Sequence, residues 1–142
     1  MSFDQLRITS SDKPALVLRF LLGFVFFMAG ILKVVVPHLG EAFSGQLTTA
    51  NIPFYGLVFY TVPVTEMVLG ITFLFGLHTR LSAAIAAIIM VAATYVHIVA
   101  DDPALFPLQP VEPIGPLMLL AMSVYLLWKG GGTWSIDLND AS

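Results

Sequence analysis

Three long, mostly apolar stretches constrain the fold of this chain more than any other feature of its sequence. They run about 14–36, 54–77 and 81–100, and a shorter fourth stretch covers about 113–129. A helix needs about 20 mostly apolar residues to cross the hydrocarbon core of a bilayer. Because backbone groups in lipid must satisfy their own hydrogen bonds, such stretches cross as helices. We predict an all-α, four-helix transmembrane bundle that forms a single domain over residues 1–142.

Composition excludes several other classes of small protein. Of the 142 residues, 58% are hydrophobic and 11% are charged, against about 25% charged in an average soluble domain. A soluble domain of this size could not bury so much apolar surface. The net charge of −3 argues against a nucleic-acid partner. There is no cysteine for a disulfide or a thiolate ligand, and the three histidines form no metal-binding motif.

Lysine and arginine are concentrated on one side of the predicted bundle. The N-terminal tail, the loop between the second and third spans and the C-terminal tail contain Arg7, Lys13, Arg80 and Lys129. The two loops on the other side, 37–53 and 101–112, contain neither residue type. By the positive-inside rule we expect a multi-pass protein of the inner membrane with both termini in the cytoplasm.

The two outer loops differ in their patterns. Phe43 and Leu47 lie four residues apart within Leu39–Ala50, with polar residues between and around them. This spacing predicts a short amphipathic helix at the outer interface of the membrane. The loop Asp101–Glu112 contains three prolines, which remove donors and block a helix. We expect that loop to be ordered but irregular.

Each predicted span has one face that combines small residues with polar or aromatic ones. On a period of 3.6 residues, these faces are Arg19, Gly23, Phe26, Gly30 and Lys33; Phe59, Glu66, Gly70, Phe73 and Leu77; Ala83, Ala86, Met90, Thr94 and His97; and Gly115, Met118, Met122, Tyr125 and Lys129. Small residues let helices approach closely in lipid, and polar groups turn away from it. We expect the four faces to meet in the bundle interior.

Glu66 is the strongest candidate for a functional residue, because it lies near the centre of the second span. An acidic side chain there costs about 2.5–3.5 kcal/mol on insertion scales and needs a partner. At about 1.5 Å of rise per residue, Lys33 and His97 lie roughly 8–9 Å above Glu66, and Arg19 lies roughly 12 Å below it. We predict contact with Lys33 or His97 rather than Arg19. Tyr125 lies near the depth of Arg19, which makes an Arg19–Tyr125 contact a further candidate.

Each of these residues also has a structural interpretation. Arg19 and Lys33 lie near helix ends, where long cationic side chains often extend to the interface. His97 can serve as a hydrogen-bonded packing residue, and Glu66 can act as a tie between helices. Both interpretations stay open at this point.

The order and spacing of several motifs provide a further indication. The first span contains Leu18-Arg19-Phe20 with Gly23, Phe27, Gly30 and Lys33; the second span and its turn contain Pro63, Glu66, Gly70, Leu74, Gly76, Thr79-Arg80 and Ala83; and Met90, His97, Gly130-Gly131-Gly132 and Ser135-Ile136-Asp137 follow. Together they resemble the DoxX family of small integral membrane proteins. The resemblance implies a four-helix membrane protein linked to respiratory or redox membrane complexes. It also implies that the charged positions of the family correspond to Arg19, Lys33, Glu66, Arg80 and His97.

The first functional hypothesis is a subunit of such a redox complex that binds a quinone or another small apolar ligand near Glu66. The candidate catalytic residues are Glu66, which would exchange a proton, and His97. The candidate ligand-binding residues are Arg19, Lys33, Phe26 and Phe73, the two aromatic rings packing on the ligand. We predict no intrinsic cofactor. Because none of these side chains can accept and pass on an electron, a redox partner is required.

The second hypothesis is a non-catalytic assembly or scaffold subunit in which the charged cluster fixes the register of the helices. A proton-coupled carrier is a third hypothesis, although four short helices without repeats offer little machinery for alternating access. The expected partners are the lipid bilayer and either a larger redox membrane complex or further copies of the chain.

Overall fold

The computed structural model describes residues 9–100 and 113–140, which form helices and no strand. The helices are α1 (Lys13–Val35), α2 (Pro37–Thr49), α3 (Tyr55–Phe75), α4 (Thr79–Val99), α5 (Ile114–Lys129) and α6 (Ile136–Asp140). The predicted all-α four-helix bundle is confirmed. The ends of α1, α3, α4 and α5 lie within two residues of the ends of the predicted spans. The predicted irregular loop Asp101–Glu112 lies outside the described residues.

The long helices have the length and composition of membrane spans. In α1, α3 and α4 the mean hydropathy reaches 2.4, 1.7 and 2.1, and the exposed faces carry large apolar side chains such as Phe24 and Ile88. The apolar helix α5 has 16 residues and is therefore about 24 Å long. This length is shorter than the hydrocarbon core, which is about 30 Å thick.

Helix α1 packs most extensively against α3, and glycine makes this contact close. A Cβ atom at Gly30 would lie 2.5 Å from the carbonyl oxygen of Pro63, and one at Gly70 would lie 2.6 Å from the Cβ atom of Phe27. No methyl group fits at either distance. This close packing of α1 against α3 also places the polar faces of the two helices against each other.

The predicted interior face of α5 is only partly correct. Met118 is 61% exposed, whereas Pro116, Ser123 and Leu126 are buried. The Ser123 hydroxyl donates to the carbonyl oxygen of Leu119 in its own helix at 2.7 Å. With its donor satisfied in this way, Ser123 packs as a small residue, and α5 turns that side toward α4.

Two short helices mark the ends of the bundle, which we call the α2 end and the α6 end. The predicted amphipathic helix is present as α2 and begins at Pro37, a residue that suits the first turn of a helix. Helix α2 contacts α1, α3 and α4, and its Leu47 is buried. At the other end, the segment after α5 folds back, and the Asp137 backbone N–H donates to the Gly76 carbonyl oxygen at 3.1 Å.

Candidate functional site

A cavity of about 280 Å³ lies under α2 at the α2 end of the bundle. Helix α3 contributes Val58 and Val62 to its wall, and α4 contributes a longer row of apolar side chains that includes Ile89 and Val96. An apolar cavity of about 150 Å³ is known to hold benzene. The present cavity therefore has room for a substituted single ring.

The charged residues of this cavity form an ion pair between α1 and α3. Lys33 Nζ donates to Glu66 Oε1 at 2.8 Å and to Glu66 Oε2 at 2.7 Å. The side chain of Glu66 is 6% exposed and that of Lys33 is 21% exposed. The predicted contact between Glu66 and Lys33 is confirmed, because the two extended side chains span the difference in depth between their helix positions.

The pair retains unused hydrogen-bonding capacity. An ammonium group has three donors, and each carboxylate oxygen accepts more than one hydrogen bond. Two Lys33 donors are directed at Glu66. Within residues 9–100 and 113–140, the third donor and the second lone pairs of the carboxylate have no hydrogen-bonding partner. A ligand in the cavity can thus meet both a donor and an acceptor there.

Helix α2 adds an aromatic ring to this arrangement. Lys33 Nζ lies 5.1 Å from the centroid of the Phe43 ring, a distance at which the ring face attracts a cation. Phe43 in turn stacks on Phe59 of α3, with centroids 6.0 Å apart and ring planes 19° apart. The ammonium group is therefore covered on the side of α2 by the Phe43 ring, which itself packs against Phe59.

His97 lines the same cavity from α4. Its Nδ1 atom lies 2.7 Å from the carbonyl oxygen of Ala93, so Nδ1 donates, and Nε2 is an acceptor in the neutral ring. The structure thus brings three predicted site residues, Lys33, Glu66 and His97, to one cavity.

The predicted aromatic ligand contacts, Phe26 and Phe73, do not line this cavity. Their rings pack edge to face, with centroids 6.0 Å apart and planes at 60°, and both side chains are fully buried in the core. Phe43 is the aromatic residue that lines the cavity instead. Its position on the predicted amphipathic helix was the available signal, but the sequence did not show that this helix covers Lys33.

Arg19 lies at the α6 end, far from the ion pair, and is fully buried. Its Nη1 atom donates to the carbonyl oxygens of Phe73 at 2.6 Å and Leu74 at 2.8 Å, and its Nε atom donates to that of Gly131 at 2.9 Å. The Nη2 atom faces the carbonyl oxygen of Trp134 at 3.2 Å. The structure therefore does not bring Arg19 to the cavity, and its donors are used by backbone carbonyls.

Tyr125 does not contact Arg19, although it lies at a similar depth. Its hydroxyl donates to Asp12 Oδ2 at 2.8 Å. Arg80, which the family resemblance also singled out, donates from Nη2 to the Trp128 carbonyl oxygen at 2.9 Å. Both contacts tie the end of α5 to neighbouring segments rather than to the cavity.

The structure shows what the C-terminal motifs Gly130-Gly131-Gly132 and Ser135-Ile136-Asp137 contact. Asp137 Oδ1 and Oδ2 accept hydrogen bonds from the backbone N–H groups of His78 at 2.8 Å and Thr79 at 2.7 Å, which lie at the start of α4. Gly76, in the turn before α4, has φ of +65°, and a Cβ atom there would lie 2.5 Å from the Cβ atom of Ser135. The motif therefore caps α4 and closes the α6 end.

Comparison with known proteins supports these assignments of fold. The family model described as DoxX matches residues 15–98, which include Arg19, Lys33, Glu66 and His97. An uncharacterized membrane protein of Mycobacterium tuberculosis is 30% identical over 149 residues, which cover 96% of this chain and 86% of the relative. No solved structure matches the chain.

Proposed function

Because this chain belongs to the DoxX family of membrane proteins, we propose that its cavity binds a small, mostly apolar ring with hydrogen-bonding oxygens, such as a quinone headgroup. The observation that carries this proposal is the largely buried Lys33–Glu66 pair in a mostly apolar cavity of about 280 Å³. Ligand sites typically combine an apolar lining with a few such polar groups.

The roles of the side chains follow from their hydrogen-bonding capacity. The remaining donor of Lys33 is suited to a ligand carbonyl oxygen, and Glu66 is suited to exchange a proton with a ligand hydroxyl. The Phe43 side chain, which lines the cavity, adds an apolar aromatic contact for the ligand. The side chains of lysine, glutamate and histidine cannot accept an electron and pass it on. The chain therefore acts with a redox partner in a larger membrane complex, which contains one or two copies of the chain.

We further propose that the protein lies in the inner membrane with both termini in the cytoplasm. The support is the distribution of lysine and arginine in the loops and tails. Reporter fusions at Ser142 and within 101–112 test this orientation. Cytoplasmic activity at Ser142 and periplasmic activity in the loop are expected, and a periplasmic Ser142 would contradict the proposal.

Mass spectrometry of gently solubilised protein tests the binding proposal. The wild-type protein should retain a quinone-like molecule, or bind an added benzoquinone, and Glu66→Gln should lose it while remaining folded. The matched control is Thr61→Val, which changes a polar group on the exposed side of α3. Wild-type protein that neither retains nor binds such a ring would overturn the proposal.

One observation favours the alternative of a scaffold subunit. Both carboxylate oxygens of Glu66 accept from the same ammonium group, so the pair can act as a tie that fixes α1 against α3. In that case Glu66→Gln, which still hydrogen-bonds, should keep most function, and Glu66→Leu should chiefly lower stability. The behaviour of Glu66→Gln therefore separates the two functions.

A further inference from the structure

We infer that the ligand of this cavity is an amphiphile that enters from the bilayer between α3 and α4. Its polar ring lies at the Lys33–Glu66 pair, and its apolar tail extends between the two helices into lipid. This inference rests on the proposed function and adds the route of access and the requirement for a tail.

Helix α2 and the residue after it, Ala50, lie over the cavity at the α2 end. The side chains of Leu47 and Ala50 are each 3% exposed. Gly40 lies so close to α1 that a Cβ atom would be 2.8 Å from the Lys33 carbonyl oxygen. The hydroxyl of Tyr95 on α4 donates to the Ala50 carbonyl oxygen at 3.5 Å. Helix α2 is thus held at α1 and at α4, and it covers the cavity.

The wall between α3 and α4 is different. The cavity extends to Ile88 of α4, whose side chain is 71% exposed on the outside of the bundle. Helices α3 and α4 contact each other much less than α1 contacts α3 or α4 contacts α5, although a short turn joins α3 to α4. The small side chains of Ala92 and Ala93 line the cavity here. The cavity therefore opens laterally.

The depth of this opening defines what can pass through it. Ile88 lies about 14 Å along α4 from Thr79, close to the middle of a hydrocarbon core about 30 Å thick. Only acyl chains and other apolar groups are present at that depth. His97 lies roughly 14 Å further along the same helix. Glu66 lies about 14 Å along α3 from the end of that helix at Phe75, which gives it about the same depth as Ile88. An occupant thus places its polar ring at the ion pair inside the bundle and extends its apolar part sideways between α3 and α4.

The test uses two probes with one ring, namely dimethoxymethylbenzoquinone and its decyl derivative, with the full chain in lipid nanodiscs. Ala92→Phe narrows the lateral opening. The matched control is Ala121→Phe, at an exposed alanine of α5 that does not line the cavity. Because the added ring takes up the space of the tail more than that of the headgroup, we expect Ala92→Phe to weaken binding of the decyl probe at least tenfold and to weaken binding of the ring alone much less. Ala121→Phe should bind both probes normally.

A second measurement does not depend on any substitution. A decyl probe with a photoreactive diazirine at the end of its tail should label α3 and α4 near Ile88 in the wild-type protein. Labelling of α2, or equal binding of the decyl probe by both phenylalanine variants, would overturn the lateral route and leave the proposed function standing. Failure of the wild-type protein to bind either probe would overturn both.

Discussion

The two ends of the bundle hold their buried charges in different ways. At the α6 end, Arg19 is fully buried, and its guanidinium donates to backbone carbonyl oxygens of α3 and of the C-terminal segment. At the α2 end, Lys33 is partly exposed and pairs with Glu66 beside a cavity. The arginine has used its donors on fixed backbone groups, whereas the lysine and glutamate retain hydrogen-bonding capacity toward a space that a ligand can occupy.

This difference shows that a charge inside a membrane helix is not by itself a sign of a binding site. The Phe73 and Leu74 carbonyls lie in the last turn of α3, where the helix has partial negative charge. Arg19 neutralises that end and joins it to the segment after α5. We therefore expect a structural role for Arg19, and the four predictions below use stability and ligand retention to separate the two ends.

The largest effect is expected from Arg19→Met. The change removes the side-chain donor from the carbonyl oxygens of Leu74 and Gly131. The Phe73 carbonyl oxygen still accepts from the Gly76 N–H. Each buried carbonyl group left without a donor costs about 1–3 kcal/mol. We expect a loss of about 3–5 kcal/mol in the free energy of unfolding, measured by denaturant titration in detergent micelles. Arg19→Lys should recover little, because one ammonium group cannot reproduce the planar fork of donors. If Arg19→Met kept the stability of the wild-type protein but no longer bound a ligand, the α6 end rather than the α2 end would hold the binding site.

The next effect concerns the ion pair. Removing one partner from a buried pair costs about 3–5 kcal/mol. Because Lys33 is 21% exposed and can extend toward the surface, we expect about 2–3 kcal/mol for Glu66→Met. The double variant Lys33→Met with Glu66→Met should regain nearly wild-type stability, since apolar replacement of a buried pair is often neutral, but it should bind no benzoquinone. Ligand binding by the double variant would show that the pair is only a tie.

A smaller effect is expected from Gly30→Ala. The added methyl group meets the Pro63 carbonyl oxygen and Met67, and such overpacking costs about 1–3 kcal/mol. Because Gly30 lies one turn from Lys33 on α1, the shift should also weaken ligand retention at the α2 end. The control is Gly45→Ala in α2, where a Cβ atom meets nothing within 4 Å. Equal stability of the two variants would contradict the close α1–α3 contact.

The smallest effect is expected from Asp137→Ala, which removes the acceptor for the first N–H groups of α4. Loss of a helix cap costs about 1 kcal/mol. Hydrogen exchange should become faster at the His78 and Thr79 amides, and ligand retention should stay unchanged because the cavity lies at the other end. Impaired ligand binding with normal exchange at these amides would argue against a purely local role.

Much of the candidate site could be predicted, and the gaps have identifiable causes. The Glu66–Lys33 contact follows from depth and helix face, both of which can be calculated from residue spacing. The aromatic contact could not be predicted in this way, because Phe26 and Phe73 share the interior faces but pack on each other. Which ring lines a cavity depends on the distances between helices, and residue spacing does not contain them.

The sequence by itself determined that the chain crosses a membrane as four helices and which charged residues turn inward, because apolar length and helical period are local properties of a segment. Only the tertiary structure decided that backbone carbonyl oxygens accept the hydrogen bonds of Arg19. Every residue has a backbone carbonyl group, so the sequence does not indicate which of them lie near Arg19. The tertiary structure also decided that Phe43 of α2 covers Lys33 and that the cavity extends to Ile88 on the exposed side of α4. A cavity forms where packing between distant segments is incomplete, and no single segment specifies that.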